Sequence, residues 1–516
     1  MRLSFISLGL LPALAWSTPL RRASTIKWTP CEANQTEAIE CGILPAPLDY
    51  TNNASNATVN LELRRIPAAN SPARGSILFN FGGPGANGFA SLEAYGAALS
   101  AATGGYHNLI VIAPRGTSKT LRFSCYATDE ERAAAGVLYE PLAGNSSDTA
   151  TGMNYATSEI FADTCYATQN RTGRFVSTSF TARDFMHVVD ALNEDGLLRY
   201  WGFSYGTILG ATLSYMFPDR MDRVVLDGVV NPHQYYSNRE VELFADTDKV
   251  FEGFCSGCVA TPENCTLAKN RTASELQEAL EDFLVDLKFN PIILPVAGAP
   301  YILKYTTAIT ALFSNLYFPT TWPATATFID NLMTGNLEEA GDYITQLLNT
   351  DAGMDDEAQF GIKCGDAFRT DTDREDIQSI LEQRGETSKL FGDTADVVLM
   401  RCADWKLKPQ ERYTGDFKAK TKNPVLLIGN THDPVTPLVS ARNASAGLEG
   451  SVILEHSAYG HTTLAQGSIC TAKAIRSYFL DGTLPEPDTK CEIETELFSG
   501  QGGWAEVIEE LTKGGN

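Results

Sequence analysis

One pentapeptide, Gly202-Phe203-Ser204-Tyr205-Gly206, constrains the fold of this chain more than any other feature. Glycines on both sides of a serine allow the backbone to turn sharply from a strand into a helix. The flanks agree, because the apolar run 197–201 predicts a strand before the turn and 207–213 predicts a helix after it. The sequence therefore predicts a nucleophile elbow with Ser204 at its tip. The alternative is an ordinary glycine-rich turn that carries a surface serine.

Short apolar runs rich in β-branched residues predict the strands of a parallel sheet. These runs are 76–81, 109–113, 198–203, 223–226, 425–429 and 452–455. Helical patterns separate them, as in 181–194, where the apolar residues share one face. Strands that alternate with helices predict an α/β fold, with a mainly parallel central sheet and helices on both faces. The alternating run 59–66 predicts an antiparallel edge strand at the start of this sheet.

The alternation of strands and helices breaks after Asn231-Pro232. From about residue 235 to residue 414 the pattern is mostly helical, and strand-like runs then resume at Pro424. A helical insertion between two sheet strands predicts a cap, or lid, over the carboxyl ends of the strands. The expected organisation of the 516 residues is a core of 23–234 and 415–516 with the cap at 235–414 between its two parts.

The N-terminus predicts a signal peptide at 1–15, because Arg2 is followed by an apolar run and a small-residue cleavage site. Arg21-Arg22 allows a short pro-segment to about residue 22. No later run is long and apolar enough to predict a membrane span. The net charge of −23 argues against binding to nucleic acid or to an anionic membrane. We expect a soluble, secreted, extracellular protein without nucleic-acid or membrane partners.

Eleven cysteines in a secreted chain predict disulfide bonds. Proximity in sequence pairs Cys31 with Cys41, Cys125 with Cys165, Cys364 with Cys402, and Cys470 with Cys491. Three further cysteines, Cys255, Cys258 and Cys265, leave one over, and we interpret them as a disulfide cluster rather than a zinc or redox motif. N-glycans are predicted at the sequons that begin at Asn34, Asn53, Asn56, Asn145, Asn170, Asn264, Asn270 and Asn443.

A serine nucleophile needs a base within hydrogen-bond reach, and that base is normally a histidine held by a carboxylate. Among the six histidines, His461 best fits the role, because it lies in a glycine-containing loop after a predicted strand. Asp433 follows the strand 425–429 in a polar loop with a proline, which fits the carboxylate. The order Ser204, Asp433, His461 is that of an α/β-hydrolase. Asp227, at the end of another predicted strand, is the rival acid.

An acyl-transfer site also needs preorganised N–H donors for the oxyanion. The amide of Tyr205, directly after the predicted nucleophile, is one expected donor. The second is expected from the loop Gly82-Gly83-Pro84-Gly85, which follows the buried strand 76–81. Gly83 is the first choice in this loop and Gly82 the second. The predicted chemistry requires no cofactor and no metal.

With these residues in view, the chain resembles the tripeptidyl and prolyl aminopeptidase family of α/β-hydrolases, its secreted members in particular. The resemblance extends over nearly the whole mature chain. Its landmarks are Asn80 to Gly85, Pro114-Arg115-Gly116, Gly202 to Thr207, Leu226 to Val229, Ile362 to Asp366, Asp433 to Pro437, and Gly460-His461-Thr462. The family places its catalytic triad at the positions that match Ser204, Asp433 and His461. The chain departs from its relatives at Asn80-Phe81 and in the segment 114–118.

The resemblance implies a serine exopeptidase that releases short peptides or amino acids from free N-termini. Such an enzyme must bind an α-ammonium group, for which a partly desolvated carboxylate is suited. Acidic residues of the cap are the candidates for this anchor, Asp366 first because it lies in a family-like motif, and Glu240 near the start of the cap second.

Two other functions remain open on the sequence. An esterase or small-molecule amidase would use the same triad beneath an apolar cap pocket that lacks an ammonium anchor. A non-catalytic binding protein on a hydrolase scaffold is the third hypothesis, and the intact Ser, Asp and His argue against it. The oligomeric state, the number of residues removed per cut and the side-chain preference have no signal in the sequence.

Overall fold

The computed structural model describes residues 25–31, 39–296, 298–348, 356–368 and 373–513. The predicted signal peptide, the Arg21-Arg22 pair and the sequon at Asn34 lie outside these ranges. The strands are β1 (Lys27–Pro30), β2 (Glu40–Pro47), β3 (Thr58–Ile66), β4 (Ser76–Asn80), β5 (Asn108–Ile112), β6 (Leu198–Phe203), β7 (Met221–Asp227), β8 (Ile292–Leu294), β9 (Tyr301–Leu303), β10 (Leu426–His432), β11 (Val452–Tyr459) and β12 (Lys490–Glu492).

Helices alternate with these strands in the first and last parts of the chain, and further helices lie between β7 and β10. They are α1 (Phe89–Ala102), α2 (Asp129–Leu138), α3 (Ala150–Gln169), α4 (Thr178–Leu192), α5 (Tyr205–Met216), α6 (Pro232–Tyr236), α7 (Thr247–Ala260), α8 (Ala273–Asp286), α9 (Tyr305–Asn315), α10 (Trp322–Thr334), α11 (Leu337–Leu348), α12 (Asp356–Asp366), α13 (Arg374–Thr387), α14 (Asp396–Ala403), α15 (Leu438–Ser445), α16 (Ile469–Asp481) and α17 (Trp504–Lys513).

Within the described residues, ten strands form one sheet in the order β1-β2-β3-β5-β4-β6-β7-β10-β11-β12. Seven of these strands, β5, β4, β6, β7, β10, β11 and β12, run parallel to one another, and β1, β2 and β3 add an antiparallel extension. The α/β-hydrolase architecture predicted from the sequence is confirmed. Because β4, β6, β7, β10 and β11 are parallel, the loops after them all lie at one edge of the sheet.

The prediction of 59–66 as an edge strand is wrong in its position. This run forms β3, which is antiparallel as expected but lies between β2 and β5 in the sheet. The strands β1 and β2 lie outside it, and the disulfide between Cys31 and Cys41 connects them. Their short runs contain three prolines and a glycine, which weakened the strand signal in the sequence.

Two apolar layers cover the faces of the sheet. On one face α4 and α5 bury residues such as Phe185 and Leu209 against the strands. On the other face α1, α16 and α17 bury residues such as Leu99 and Phe479. These layers explain why the strand runs are apolar on both faces and why their periodicity of two is weak.

The chain between β7 and β10 contributes no strand to the main sheet among its described residues. It consists of α6 to α14 and the small β8–β9 hairpin, and we call this segment the cap. The cap has its own apolar core around Phe254, Leu280 and Trp322. It also contacts the sheet edge directly, since the Thr247 hydroxyl donates to the carbonyl of Pro434 at 2.7 Å.

The predicted disulfides Cys31–Cys41, Cys125–Cys165, Cys364–Cys402 and Cys470–Cys491 are present. The central cluster resolves into a bond between Cys258 and Cys265, and Cys255 is a buried free thiol. No helix of the described residues has both the length and the apolar character that crossing a bilayer requires.

Candidate active site

Ser204 lies on the turn between β6 and α5, with φ of 56° and ψ of −126°. This is a rare conformation for a residue with a side chain, and such strain is concentrated at functional sites. The two flanking glycines are needed for space. A Cβ on Gly202 would lie 2.3 Å from the carbonyl oxygen of Gly206, and a Cβ on Gly206 would lie 2.3 Å from that of Asn80. The close approach of three chain segments therefore fixes the glycine-serine-glycine pattern.

His461 and Asp433 are in direct contact. The imidazole Nδ1 lies 3.1 Å and 3.0 Å from the two carboxylate oxygens of Asp433. The carboxylate is fully buried, and it accepts hydrogen bonds from the backbone N–H groups of Val435, Thr436 and Thr462 at 2.8–3.1 Å. An N–H donated from Nδ1 to Asp433 leaves Nε2 as the nitrogen that can accept a proton.

Two residues that the sequence analysis did not identify hold the backbone of His461. The side-chain amide of Asn430, fully buried at the end of β10, donates to the carbonyls of Gly460 and Thr462 at 2.7 Å and 2.9 Å. From the cap, the carbonyl of Tyr317 accepts the N–H of His461 at 2.7 Å, and the two rings are 4.9 Å apart. Neither residue has a local sequence signal, because both act through chain segments far away in sequence.

Asp227, the rival acid, is fully buried and is engaged elsewhere. Its carboxylate accepts hydrogen bonds from the backbone N–H and the hydroxyl of Thr463 at 2.9 Å and 2.6 Å, and from the indole of Trp201 at 3.2 Å. Burial raises the pKa of Asp227 to about 6. Asp227 therefore connects the end of β7 to the loop that carries His461, and it is Asp433 that contacts the imidazole.

The two glycines predicted as oxyanion donors differ in their environments. The N–H of Gly82 donates to the side-chain oxygen of Asn80 at 3.0 Å, so it is already used. That engagement argues against the prediction of Gly82 as a donor. Gly83 and Tyr205 both line the cavity described next. Within the described residues, no acceptor is found for the N–H of either one.

A cavity of about 540 Å³ separates the sheet edge from the cap. Gly83, Ser204, Tyr205, Thr436 and His461 line it from the sheet edge, and we call this set the sheet end. Its apolar lining residues include Phe81, Leu243, Phe313, Tyr317, Phe318 and Val398. The charged side chains that line it from the cap are those of Glu240, Lys363 and Arg384, and we call this set the cap end. Ser204 and His461 thus line a single cavity, and Asp433 is buried next to His461.

The two predicted anchor residues lie in different places. Glu240 lines the cavity and forms an ion pair with Lys363, and both side chains are less than a tenth exposed. Asp366 is fully buried, does not line the cavity, and accepts hydrogen bonds from Thr178 and from the Tyr235 hydroxyl. Burial raises the pKa of Asp366 to about 6. The prediction of Asp366 as an anchor does not fit this position, because its carboxylate does not line the cavity.

Potential metal ligands do not converge at this site. In the described part of the chain, no group of three or more His, Cys, Asp or Glu side chains is arranged to hold a metal ion. What the site contains is a hydroxyl on a strained turn, an imidazole backed by a carboxylate, and two free N–H groups. This set of groups is suited to acyl transfer.

Comparison with known proteins gives one family match and several relatives. A family model described as TAP-like protein matches residues 388–491. The chain is 27% identical over 484 residues to serine protease Hip1 of Mycobacterium tuberculosis, which covers 90% of this chain and 91% of that protein. It is 26% identical over 488 residues to the tripeptidyl aminopeptidase of Streptomyces lividans, covering 90% and 86%. It is 25% identical over 480 residues to carboxylesterase B of Mycobacterium tuberculosis, covering 90% and 89%.

The family match covers the last part of the cap and the β10–β12 region, including the Asp433 and His461 loops. The relatives extend the similarity over most of the chain and thus over the Ser204 turn as well. Together with the sheet order, these similarities show that the chain is a serine hydrolase with an α/β-hydrolase fold, and that it is similar to the TAP-like proteins.

Proposed function

We propose that this protein is a secreted serine exopeptidase that releases short peptides or amino acids from free N-termini. One observation carries the proposal: a carboxylate, Glu240, lines the same cavity as Ser204 and as His461, which Asp433 contacts. The relatives named serine protease and tripeptidyl aminopeptidase support the peptidase class.

In the proposed mechanism, Ser204 Oγ attacks the scissile carbonyl while His461 Nε2 takes its proton. Asp433 holds the ring orientation and stabilises the imidazolium that forms. The N–H groups of Gly83 and Tyr205 stabilise the negative charge on the carbonyl oxygen. His461 then protonates the leaving amine, and water, activated by the same histidine, hydrolyses the acyl-enzyme.

Glu240 is proposed to bind the α-ammonium group of the substrate. It is the acidic side chain among the cavity-lining residues, and its φ of 41° is rare for a residue with a side chain. Lys363 holds the carboxylate in place through the ion pair. A charge-assisted hydrogen bond in this enclosed site would distinguish free from blocked N-termini.

Secretion and N-glycosylation form part of the proposal. Five disulfides among the described residues support an oxidising compartment. The seven sequon asparagines that the structure describes are all exposed, as attachment of a glycan requires.

A second candidate function is an esterase or small-molecule amidase. The apolar lining residues of the cavity favour this function, because they can contact an acyl chain without further polar groups. The relative named carboxylesterase B supports the same alternative.

Chromogenic tripeptide amides with free and with acetylated N-termini separate the two functions. We expect kcat/KM to be at least about tenfold higher for the free N-terminus, because an acetyl group removes the charge that Glu240 binds. A p-nitrophenyl ester serves as the control for active enzyme. Equal rates on the free and acetylated peptides would contradict the exopeptidase proposal and favour the esterase or amidase.

A further inference from the structure

The cap end of the cavity has the opposite charge balance to the rest of the molecule. The whole chain carries a net charge of −23. The charged side chains that line the cavity are one acid, Glu240, and two bases, Lys363 and Arg384. This excess of positive charge among the cavity-lining side chains differs from a solvated protein surface, where acidic and basic side chains are mixed.

Lys363 does not account for this excess. Its ammonium forms an ion pair with Glu240 and lies 4.5 Å from the centre of the Tyr235 ring. Burial lowers the pKa of Lys363, and the Glu240 carboxylate opposes that effect. The positive charge of Lys363 is thus compensated inside the protein.

Arg384 is different, because the residue is 1% exposed and its guanidinium forms no ion pair with any residue that the structure describes. Three of its N–H groups donate to backbone carbonyls, two to Arg239 and one to Ala395, at 2.9–3.2 Å. Glu240 and Asp396 influence it only at longer range. A guanidinium has five N–H groups, so one on each terminal nitrogen remains.

A buried cation without a directly paired carboxylate is costly, because more distant charges compensate only part of its lost hydration. The carbonyls of Arg239 and Ala395 orient the guanidinium and reduce this cost, but they carry no full negative charge. A planar guanidinium with free N–H groups is suited to bind a carboxylate through two parallel hydrogen bonds. Arg384 lines the same cavity as Ser204, so an anion bound there would lie in the space that holds the substrate.

We propose that Arg384 forms an anion subsite for an acidic side chain of the substrate, so that the enzyme favours peptides with Glu or Asp in the segment held beneath the cap. This inference rests on the proposed exopeptidase function and adds a substrate class to it. Glu240 and Arg384 would then bind the two opposite charges of an acidic N-terminal segment.

The test compares chromogenic tripeptide amides with Glu or with its neutral isostere Gln at each of the three positions. We expect the Glu:Gln ratio of kcat/KM to reach about tenfold at one position, since a desolvated charge-assisted pair forms only with Glu. This comparison uses the wild-type protein and needs no variant. A Glu:Gln ratio of one or less at all three positions would overturn the proposal.

Arg384→Gln gives the second measurement. We expect the Glu:Gln ratio to fall towards one in this variant. Arg412→Gln is the matched control, because Arg412 also donates to a backbone carbonyl, that of Ala367, but does not line the cavity. An unchanged ratio in folded Arg384→Gln would contradict the assignment. If that variant does not fold, inhibition of the wild-type protein by glutarate against glutaramide replaces it, and equal inhibition would count against the subsite.

A C-terminal carboxylate is the other source of the same anion. Tetrapeptides with a free and with an amidated C-terminus distinguish it, because an effect of the C-terminal charge equal to that of the Glu side chain would refute the side-chain assignment. Failure of the proposed function gives a different result. In that case all peptides with free N-termini are inert while p-nitrophenyl esters react. The ratio of kcat/KM for p-nitrophenyl hemiglutarate to that for p-nitrophenyl butyrate then tests Arg384 with esters.

Discussion

The two ends of the cavity are formed by different parts of the chain and differ in how they are supported. At the sheet end, Ser204 and His461 follow the carboxyl ends of β6 and β11, so two strands of the parallel sheet fix their positions. At the cap end, Glu240, Lys363 and Arg384 come from three cap segments that have no strand behind them. Sheet strands thus position the groups proposed to perform the chemistry, and packing within the cap positions the groups proposed to select the substrate.

Asn430 and Tyr317 show that the two ends are nevertheless connected. Asn430 holds the His461 loop from within the sheet, and the carbonyl of Tyr317 holds the same backbone from the cap. A Cβ on Gly460 would lie 2.6 Å from the Tyr317 carbonyl oxygen, so the cap can approach the histidine this closely only next to a glycine. The cap is therefore part of the support of the sheet end.

The largest expected effect comes from Ser204→Ala at the sheet end. We expect kcat to fall by about 10⁴-fold or more on peptides and esters alike, because the nucleophile is lost for every substrate. The melting temperature measured beside kcat serves as the control for folding. Retention of wild-type activity would show that the sheet end does not perform the chemistry.

Asp433→Asn and Asp227→Asn form a matched pair at the same edge. Asp433→Asn should reduce kcat by about 10⁴-fold, because an amide cannot hold the imidazole in the orientation and tautomer that a carboxylate selects. Asp227→Asn should lose far less activity and instead lower the free energy of unfolding by about 1–3 kcal/mol, because one of its buried hydrogen bonds is lost. Steady-state kinetics and urea unfolding of both variants check this, and the reverse ranking in kcat would make Asp227 the triad acid.

Glu240→Gln tests the cap end separately from the sheet end. We expect the ratio of kcat/KM for free against acetylated peptides to fall by about 10-fold to 100-fold, because a charge-assisted contact becomes a neutral one. Glu252→Gln, an exposed acid on α7 that does not line the cavity, is the matched control. A ratio that stays at the wild-type value would show that Glu240 does not bind the ammonium group.

The smallest expected effect concerns Asp396, next to the cavity-lining Ala395. Burial raises the pKa of Asp396 to about 7, above its value of about 3.9 in an unfolded chain. Between these values the folded protein binds more protons at this group, so its contribution to stability is present at low pH and is lost as pH rises through 7.

Unfolding measured at pH 5, 6.5 and 8 in the wild-type protein and in Asp396→Asn checks this contribution. We expect the wild-type protein to lose more stability towards pH 8 than the variant does. Parallel pH dependences would show that Asp396 does not titrate in this range.

The sequence was informative wherever a local pattern encodes the structure. The strand before Ser204 has the predicted bounds, 198–203, because a buried parallel strand is a continuous apolar run. Four disulfides followed from proximity alone. The prediction of Gly82 as an oxyanion donor did not account for the hydrogen bond that its N–H donates to the Asn80 side chain. The conformation of this side chain depends on the tertiary structure around the turn.

Local sequence patterns could not predict which charged residues of the cap line the cavity. Arg384 lies on α13, a helix rich in charged residues, yet it is fully buried and lines the cavity. Asp366 lies in a family-like motif and still does not reach the cavity. A helix can present either face to its neighbours, and only the packing of the other cap helices decides which side chain reaches the substrate space.

The sequence by itself determined the α/β alternation, the Ser204 turn and the order of the three residues proposed as the triad, because these depend on local backbone requirements and on apolar periodicity. Only the tertiary structure decided that Asp433 rather than Asp227 contacts His461, and that Glu240 rather than Asp366 lines the cavity. The physical reason is that hydrogen-bond partners and burial depend on segments that meet only in the folded chain, where each carboxylate is held by whichever donors lie within about 3 Å of it.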